Sequence, residues 1–129
     1  MQPNDFARAR GALGEELACR FLESRGYAIV ERNLRIGRGE LDIVARRGNV
    51  SVAVEVKWRR WDAGRGDAVD AWRPRQRVRA SQAMLAWLAQ APDAPSADWR
   101  FDLITIDERP DGWTLTHRRG AWSPSGSFW

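Results

Sequence analysis

ELDIVARRGNVSVAVEVKW, residues 40–58, decides how this chain is put together. Two runs rich in β-branched and apolar residues meet at Arg47-Gly48-Asn49, a turn too short for anything but a tight hairpin. Side chains alternate across a strand, so Val50, Val52, Val54 and Val56 share one face, and Ser51, Ala53, Glu55 and Lys57 share the other. The same rule puts Leu41 and Ile43 on one face of the preceding strand, with Glu40, Asp42 and Val44 opposite. Pairing through the turn then stands Asp42 beside Glu55. Glu55 and Lys57 project from one face, roughly 6–7 Å apart along the strand. Such an E-x-K spacing also suits a plain ion pair exposed on a one-sided sheet, which contributes little.

Outward from the hairpin, Asp5 to about Arg25 has helical periodicity. Leu13, Leu17, Ala18, Phe21 and Leu22 fill one arc, and Glu16, Arg20 and Glu23 lie opposite. Glu15 falls about 20° from Leu22 on a helical wheel, at the rim of the apolar arc. Gly26 is placed to cap the helix. Residues 27–35 read as a strand, and "IGRG" as a turn. Residues 59–73 carry charges and glycines without a period and read as a mobile loop. Pro74 suits the first position of a second helix, with Val78, Ser81, Leu85 and Leu88 on one face. Gln90–Asp98 is a linker, 99–108 a strand, 109–112 a turn and 113–119 a short strand. The order helix, three strands, helix, two strands predicts an α+β protein of three layers, α/β/α, around a mixed sheet. One domain over 1–122 and a loosely ordered tail over 123–129 are expected.

The composition is that of a globular protein, with 43% hydrophobic and 29% charged residues in 129. No apolar run approaches the roughly 18 residues of a membrane span, and the start lacks the apolar segment of a secretion signal. A single cysteine, Cys19, forms no internal disulfide and fits a cytoplasmic location. Lys57 is the only lysine among 21 basic residues. So arginine-rich a chain suggests a phosphate-bearing partner, although GC-rich codons give the same bias. His117 stands alone, without the second histidine or cysteine that a zinc site needs, and is expected to be structural. No phosphate-binding loop of the G-x-x-x-x-G-K type is present. Trp87, Trp99 and Trp113 are expected to pack, whereas Trp58, Trp61 and Trp72 flank the hairpin and loop, where bases could stack.

Two carboxylates amid hydrophobic residues repel unless a proton or cation lies between them. A hard divalent cation such as Mg²⁺ takes one or two carboxylates and keeps waters for the rest. Lys57 supplies a compact charge beside such a pair, suited to a phosphate's developing charge or to an attacking water. Arginine is bulkier and does not lose its proton near neutrality.

Three blocks of the sequence carry a resemblance. "GALGEELACRFL" (11–22), "ERNLRIGRGELDIVA" (31–45) and "VAVEVKWR" (52–59) are similar to the motifs of the YraN-like family of largely uncharacterised bacterial proteins. That family is similar to archaeal Holliday junction resolvases and to the wider PD-(D/E)xK nucleases. The resemblance implies a restriction-endonuclease-like fold and an endonuclease site dependent on Mg²⁺ or Mn²⁺. Carried over by position, Asp42, Glu55 and Glu15 would be the metal-site carboxylates, with Lys57 the catalytic lysine. Gly11 and Gly14 would let the first helix approach its neighbours. Arg35, Arg59, Arg60, Arg75 and Arg77 would contact nucleic-acid phosphates, and Glu40 would support the site, paired with an arginine. The family's lysine near the start of the second helix is replaced here by Arg75 or Gln76. DNA is expected ahead of RNA, branched or structured forms included, and a two-fold homodimer fits paired cuts. A non-catalytic nucleic-acid-binding module on the same fold is the alternative.

Overall fold

The computed structural model describes residues 3–60, 74–91 and 98–122. Helix α1 (Pro3–Ser24) is followed by strands β1 (Ala28–Ile36), β2 (Gly39–Arg47) and β3 (Val50–Arg60). Helix α2 (Pro74–Gln90) then leads to β4 (Asp98–Arg109) and β5 (Gly112–Trp122). The five strands form one sheet in chain order. All neighbours are antiparallel except β3 and β4, which α2 connects in parallel. The sheet is therefore mixed. Trp61, Trp72 and the predicted 123–129 tail lie outside the described residues, as does the loop beyond Arg60.

Local chemistry sets the ends of these elements. Helix α1 stops in a Schellman cap: Gly26 takes φ +88°, Tyr27 N–H donates to Leu22 O at 3.0 Å, and Gly26 N–H donates to Glu23 O at 3.1 Å. The β1–β2 and β2–β3 hairpins have two-residue turns with glycine first, Gly37 at φ +60° and Gly48 at φ +58°. That is the type II′ arrangement, whose twist matches the strands it joins.

Each face of the sheet is covered by one helix. Ala18, Cys19 and Leu22 of α1 pack on Ile43, Ala45, Val52, Val54, Ile104 and Ile106. Ala80, Ala83, Met84 and Trp87 of α2 pack on Leu41, Val44, Ala53, Phe101 and Leu103. The β3 valines thus face α1, while Ser51 and Ala53 are buried on the opposite side. A one-sided sheet is excluded, and the layers are α/β/α.

Several sequence expectations need correction. Val78 and Leu85 of α2 are 45% and 52% exposed, although Ser81 from the same predicted face is buried. The face that turns inward runs through Ala80, Ala83, Met84 and Trp87, with Leu88 partly buried beside it. Close approach explains the choice: a Cβ on Gly39 would lie 2.3 Å from Arg79 O and 2.7 Å from the Ala83 Cβ. The helix rests on the backbone of β2, and only small residues fit between. Gly14 of α1 faces Trp58, Ile106 and Val56, but Gly11 has nothing near it and mediates no approach among the described residues. Strand β3 continues to Arg60, taking residues read as loop, and β5 runs to Trp122, past the short strand read over 113–119, because long partners extend both. Trp113 is half exposed rather than packed, whereas Trp87 is buried and Trp99 stacks edge-on against Phe101. Leu13 also lies outside the core, 50% exposed.

A buried polar node ties β4 and β5 to the end of α1. The Asp102 carboxylate, fully buried, accepts from Arg100 Nε at 2.9 Å and Gly120 N–H at 3.0 Å, and lies 2.8 Å from His117 Nε2. Arg100 also reaches the Tyr27 hydroxyl, and the His117 ring meets Phe21 and Tyr27 edge-on. Burial alone would raise the Asp102 pKa, but the bonds from His117, Arg100 and Gly120 outweigh it and leave the pKa lowered. His117 has a structural role here.

Two tests follow from this packing. Asp102→Asn is expected to cost about 3–5 kcal/mol, because it leaves the charge of Arg100 without its buried partner; urea unfolding measures this. Gly39→Ala is expected to lose about 1–3 kcal/mol through overpacking against α2. Gly11→Ala, in an open helical position, is expected to gain about 0.5–1 kcal/mol.

Candidate active site

Strands β2 and β3 pair from Arg47↔Val50 up to Ile43↔Val54. At the next step Asp42 departs from the ladder. Its Oδ2 accepts the Val56 N–H at 2.9 Å, a side chain standing where a main-chain carbonyl would serve. Regular alternation would keep Leu41 with Ile43, yet Leu41 packs in the α2 cluster and Ile43 in the α1 cluster. Strand β1 changes face at the same level: Arg32 donates to Glu16 of α1 at 3.0 Å, while Leu34 packs towards α2. Between them Asn33 has φ +52°, the only described non-glycine residue with positive φ. Asparagine tolerates this left-handed conformation better than most side chains. The expectation that Leu41 and Ile43 share a face therefore fails at a local swivel. That swivel opens a notch between β2 and β3 and turns Asp42 into it.

The notch is a cleft of about 230 Å³ lined by Arg38, Glu40, Asp42, Glu55, Gln76 and Arg79. The structure brings Asp42 and Glu55 together within it. Burial pushes the Glu55 pKa well above its ordinary value, and the adjacent Asp42 charge pushes it further, with Lys57 only partly offsetting both. Lys57 Nζ lies 3.2 Å from Glu55 Oε1, and the two side chains are 33% and 15% exposed. This is not an exposed surface pair. Glu15 approaches from α1 and is hydrogen-bonded to Asn33. Burial raises its pKa; the Asn33 bond offsets part of that, and the charge of Asp42 raises it again.

The remaining predicted residues are spread out. Glu40 pairs with Arg35, Nε to Oε1 at 3.8 Å, at the rim of the sheet. Arg59 is bonded to Asp107 on β4, and Arg60 is exposed at the end of β3. Arg75 faces solvent, whereas Arg77 is 7% exposed, turned with Ser81 towards the sheet. Gln76, not Arg75, lines the cleft, so it is the glutamine that occupies the place near the carboxylates. Arg38 escaped the sequence reading of the site, and Arg79 was expected only among the arginines from 59 to 79 that would grip a nucleic-acid backbone, not in the cleft itself. Arg79 follows Gln76 by three residues and shares its helical face, a spacing that would have found it had Gln76 been placed first.

The donors in the cleft are oxygens alone, which suits a hard cation and not zinc or a soft metal. No group of three His, Cys, Asp or Glu side chains forms a ready-made cage among the described residues. A paired carboxylate with further positions left to water is the arrangement Mg²⁺ accepts. The partly buried carboxylates of Asp42 and Glu55 fit such an ion.

The raised Glu55 pKa has a measurable consequence in metal-free buffer. Above the ordinary value of 4.5 the unfolded chain gives up this proton while the folded protein keeps it, so stability falls as pH rises through that range. Glu55→Gln is expected to flatten this decline and to raise the Tm at neutral pH. A fall of stability with pH as steep in the variant as in the wild type contradicts the assignment.

The uncharacterised protein family UPF0102 matches residues 14–106. A UPF0102 protein of Maricaulis maris is 40% identical over 121 residues, covering 94% of this chain and 91% of its own length. One from Symbiobacterium thermophilum is 40% identical over 112 residues, covering 83% and 89%. Another, from Acidothermus cellulolyticus, is 40% identical over 123 residues, covering 88% and 92%. No helix among the described residues is long and apolar enough to cross a membrane. By the extent of these matches the chain belongs to UPF0102, the family its three motif blocks resemble.

Proposed function

We propose that this protein is a metal-dependent endonuclease of the restriction-endonuclease-like kind, hydrolysing phosphodiester bonds in DNA. One observation carries the reading: two partly buried, mutually repelling carboxylates, Asp42 and Glu55, line one cleft, and the chain's only lysine lies 3.2 Å from Glu55. A salt bridge needs one carboxylate, and a second beside it raises the cost of burial, so stability alone does not explain the pair. Sites under such strain tend to be functional.

Asp42 and Glu55 would hold Mg²⁺ or Mn²⁺, with Glu15 reaching the same side. When bound, the ion supplies charge for a phosphate oxygen and lowers the pKa of water. The protein's own contribution is placement. The Val56 N–H fixes the Asp42 carboxylate, and Asn33 holds that of Glu15. Lys57, tied to Glu55, stands beside the phosphate to orient the attacking water or offset charge in the transition state. The arginines around the cleft contact backbone phosphates without reading bases, which makes binding steeply salt-dependent.

Purified protein with Mn²⁺ is expected to cut at least one of a panel of linear, flapped and four-way DNA substrates. Glu55→Ala and Lys57→Ala should each lower the rate at least 100-fold, and Lys57→Arg should not restore it, while DNA affinity in EDTA stays within a few fold. Salt-sensitive DNA binding without cleavage, and without stabilisation by Mn²⁺, would instead identify a non-catalytic binding module.

A further inference from the structure

The cleft has two walls that the carboxylates and Lys57 do not use. Arg38 stands in the β1–β2 turn, one residue before Gly39. Arg79 stands on α2, and its carbonyl oxygen is the atom that a Cβ on Gly39 would strike. The contact that seats the helix on β2 therefore also brings Arg38 and Arg79 to the same cleft. Both are exposed, and both line the cavity that holds Asp42 and Glu55. Among the described residues neither guanidinium forms an ion pair with those carboxylates, whereas Glu40 is paired with Arg35 and Glu55 with Lys57. Two guanidinium groups anchored on rigid elements at the edge of a site, and not consumed in neutralising it, form a receptor for an external anion.

We infer that Arg38 and Arg79 form a phosphate subsite for the polynucleotide backbone, holding the phosphate next to the one positioned between Lys57 and the carboxylate pair. The inference rests on the nuclease reading and deepens it by giving the strand a direction. From Lys57 on β3 the backbone crosses Glu55 and Asp42 and leaves between the β1–β2 turn and α2. Gln76, one helical turn before Arg79, lies along the same exit.

The test uses full-length protein in EDTA, so that binding is measured without cleavage, with a labelled DNA strand titrated by fluorescence anisotropy. In the wild type, log K should fall linearly with log salt. In Arg38→Ala/Arg79→Ala the slope should shrink by roughly 1.4–1.8, with affinity down on the order of tenfold near 0.1 M salt. Arg20→Ala/Arg119→Ala, which removes equal charge elsewhere, should leave the slope at the wild-type value. A double variant that keeps the wild-type slope while the wild type binds and cuts DNA overturns the subsite and leaves the nuclease reading standing. An equal loss of slope in the remote pair also overturns it. If the wild type neither binds nor cuts, both readings fall together. Inorganic phosphate separates a free-anion site from a backbone site: thermal stabilisation by phosphate lost in the double variant, with DNA binding unchanged, counts against the proposal.

Discussion

The step at Asp42 is the constraint on which the site depends. A β-hairpin normally keeps main-chain groups bonded to main-chain groups, and its side chains alternate without interruption. Here the Val56 N–H is satisfied by the Asp42 carboxylate, so β2 is free to leave β3 without stranding a buried donor. The departure makes room for a cleft between two strands that are otherwise tightly paired. It also brings Asp42 against Glu55, an arrangement that burial makes unfavourable in the absence of a proton or cation. Structure and electrostatics are coupled through one carboxylate that both terminates a ladder and faces a site.

The two helices contribute differently. Helix α1 supplies Glu15 and covers the valine face, and its end is tied to β4 and β5 through Tyr27, Arg100, Asp102 and His117. Helix α2 supplies Gln76 and Arg79 and is located by contact of backbone with backbone at Gly39. Both are held by apolar packing, the first also by a satisfied buried carboxylate, the second also by the close approach that a missing side chain allows. Both devices place a helix to within a small tolerance, which a site assembled from four separate elements needs.

Much of this was legible in the sequence, for identifiable reasons. The hairpin over 40–58 follows from turn chemistry and strand periodicity, and both are local. Asp42 beside Glu55 follows from register, and the three layers follow from the order of elements. What could not be read depends on contacts distant in sequence. The buried face of α2 was misassigned because Val78 and Leu85 look like core residues, while the alanines that fit against Gly39 look like filler. The face switch at Asn33 leaves no periodic trace, since alternation is assumed on either side of it. Arg38 and Arg79 belong to one site only because α2 sits on the β1–β2 turn, and no spacing in the chain states that.

The nested hairpins also bear on the order of folding. Asp42 and Glu55 belong to a single hairpin with a two-residue turn, and β1 adds to it through another. These pairings close short loops, whereas the parallel β3–β4 pairing must wait for the whole crossover through α2. The carboxylate pair is thus encoded in a part of the chain with low contact order. On a ribosome it emerges before α2 does, so a nascent chain carries the repelling acids before it has the Arg79 wall that faces them.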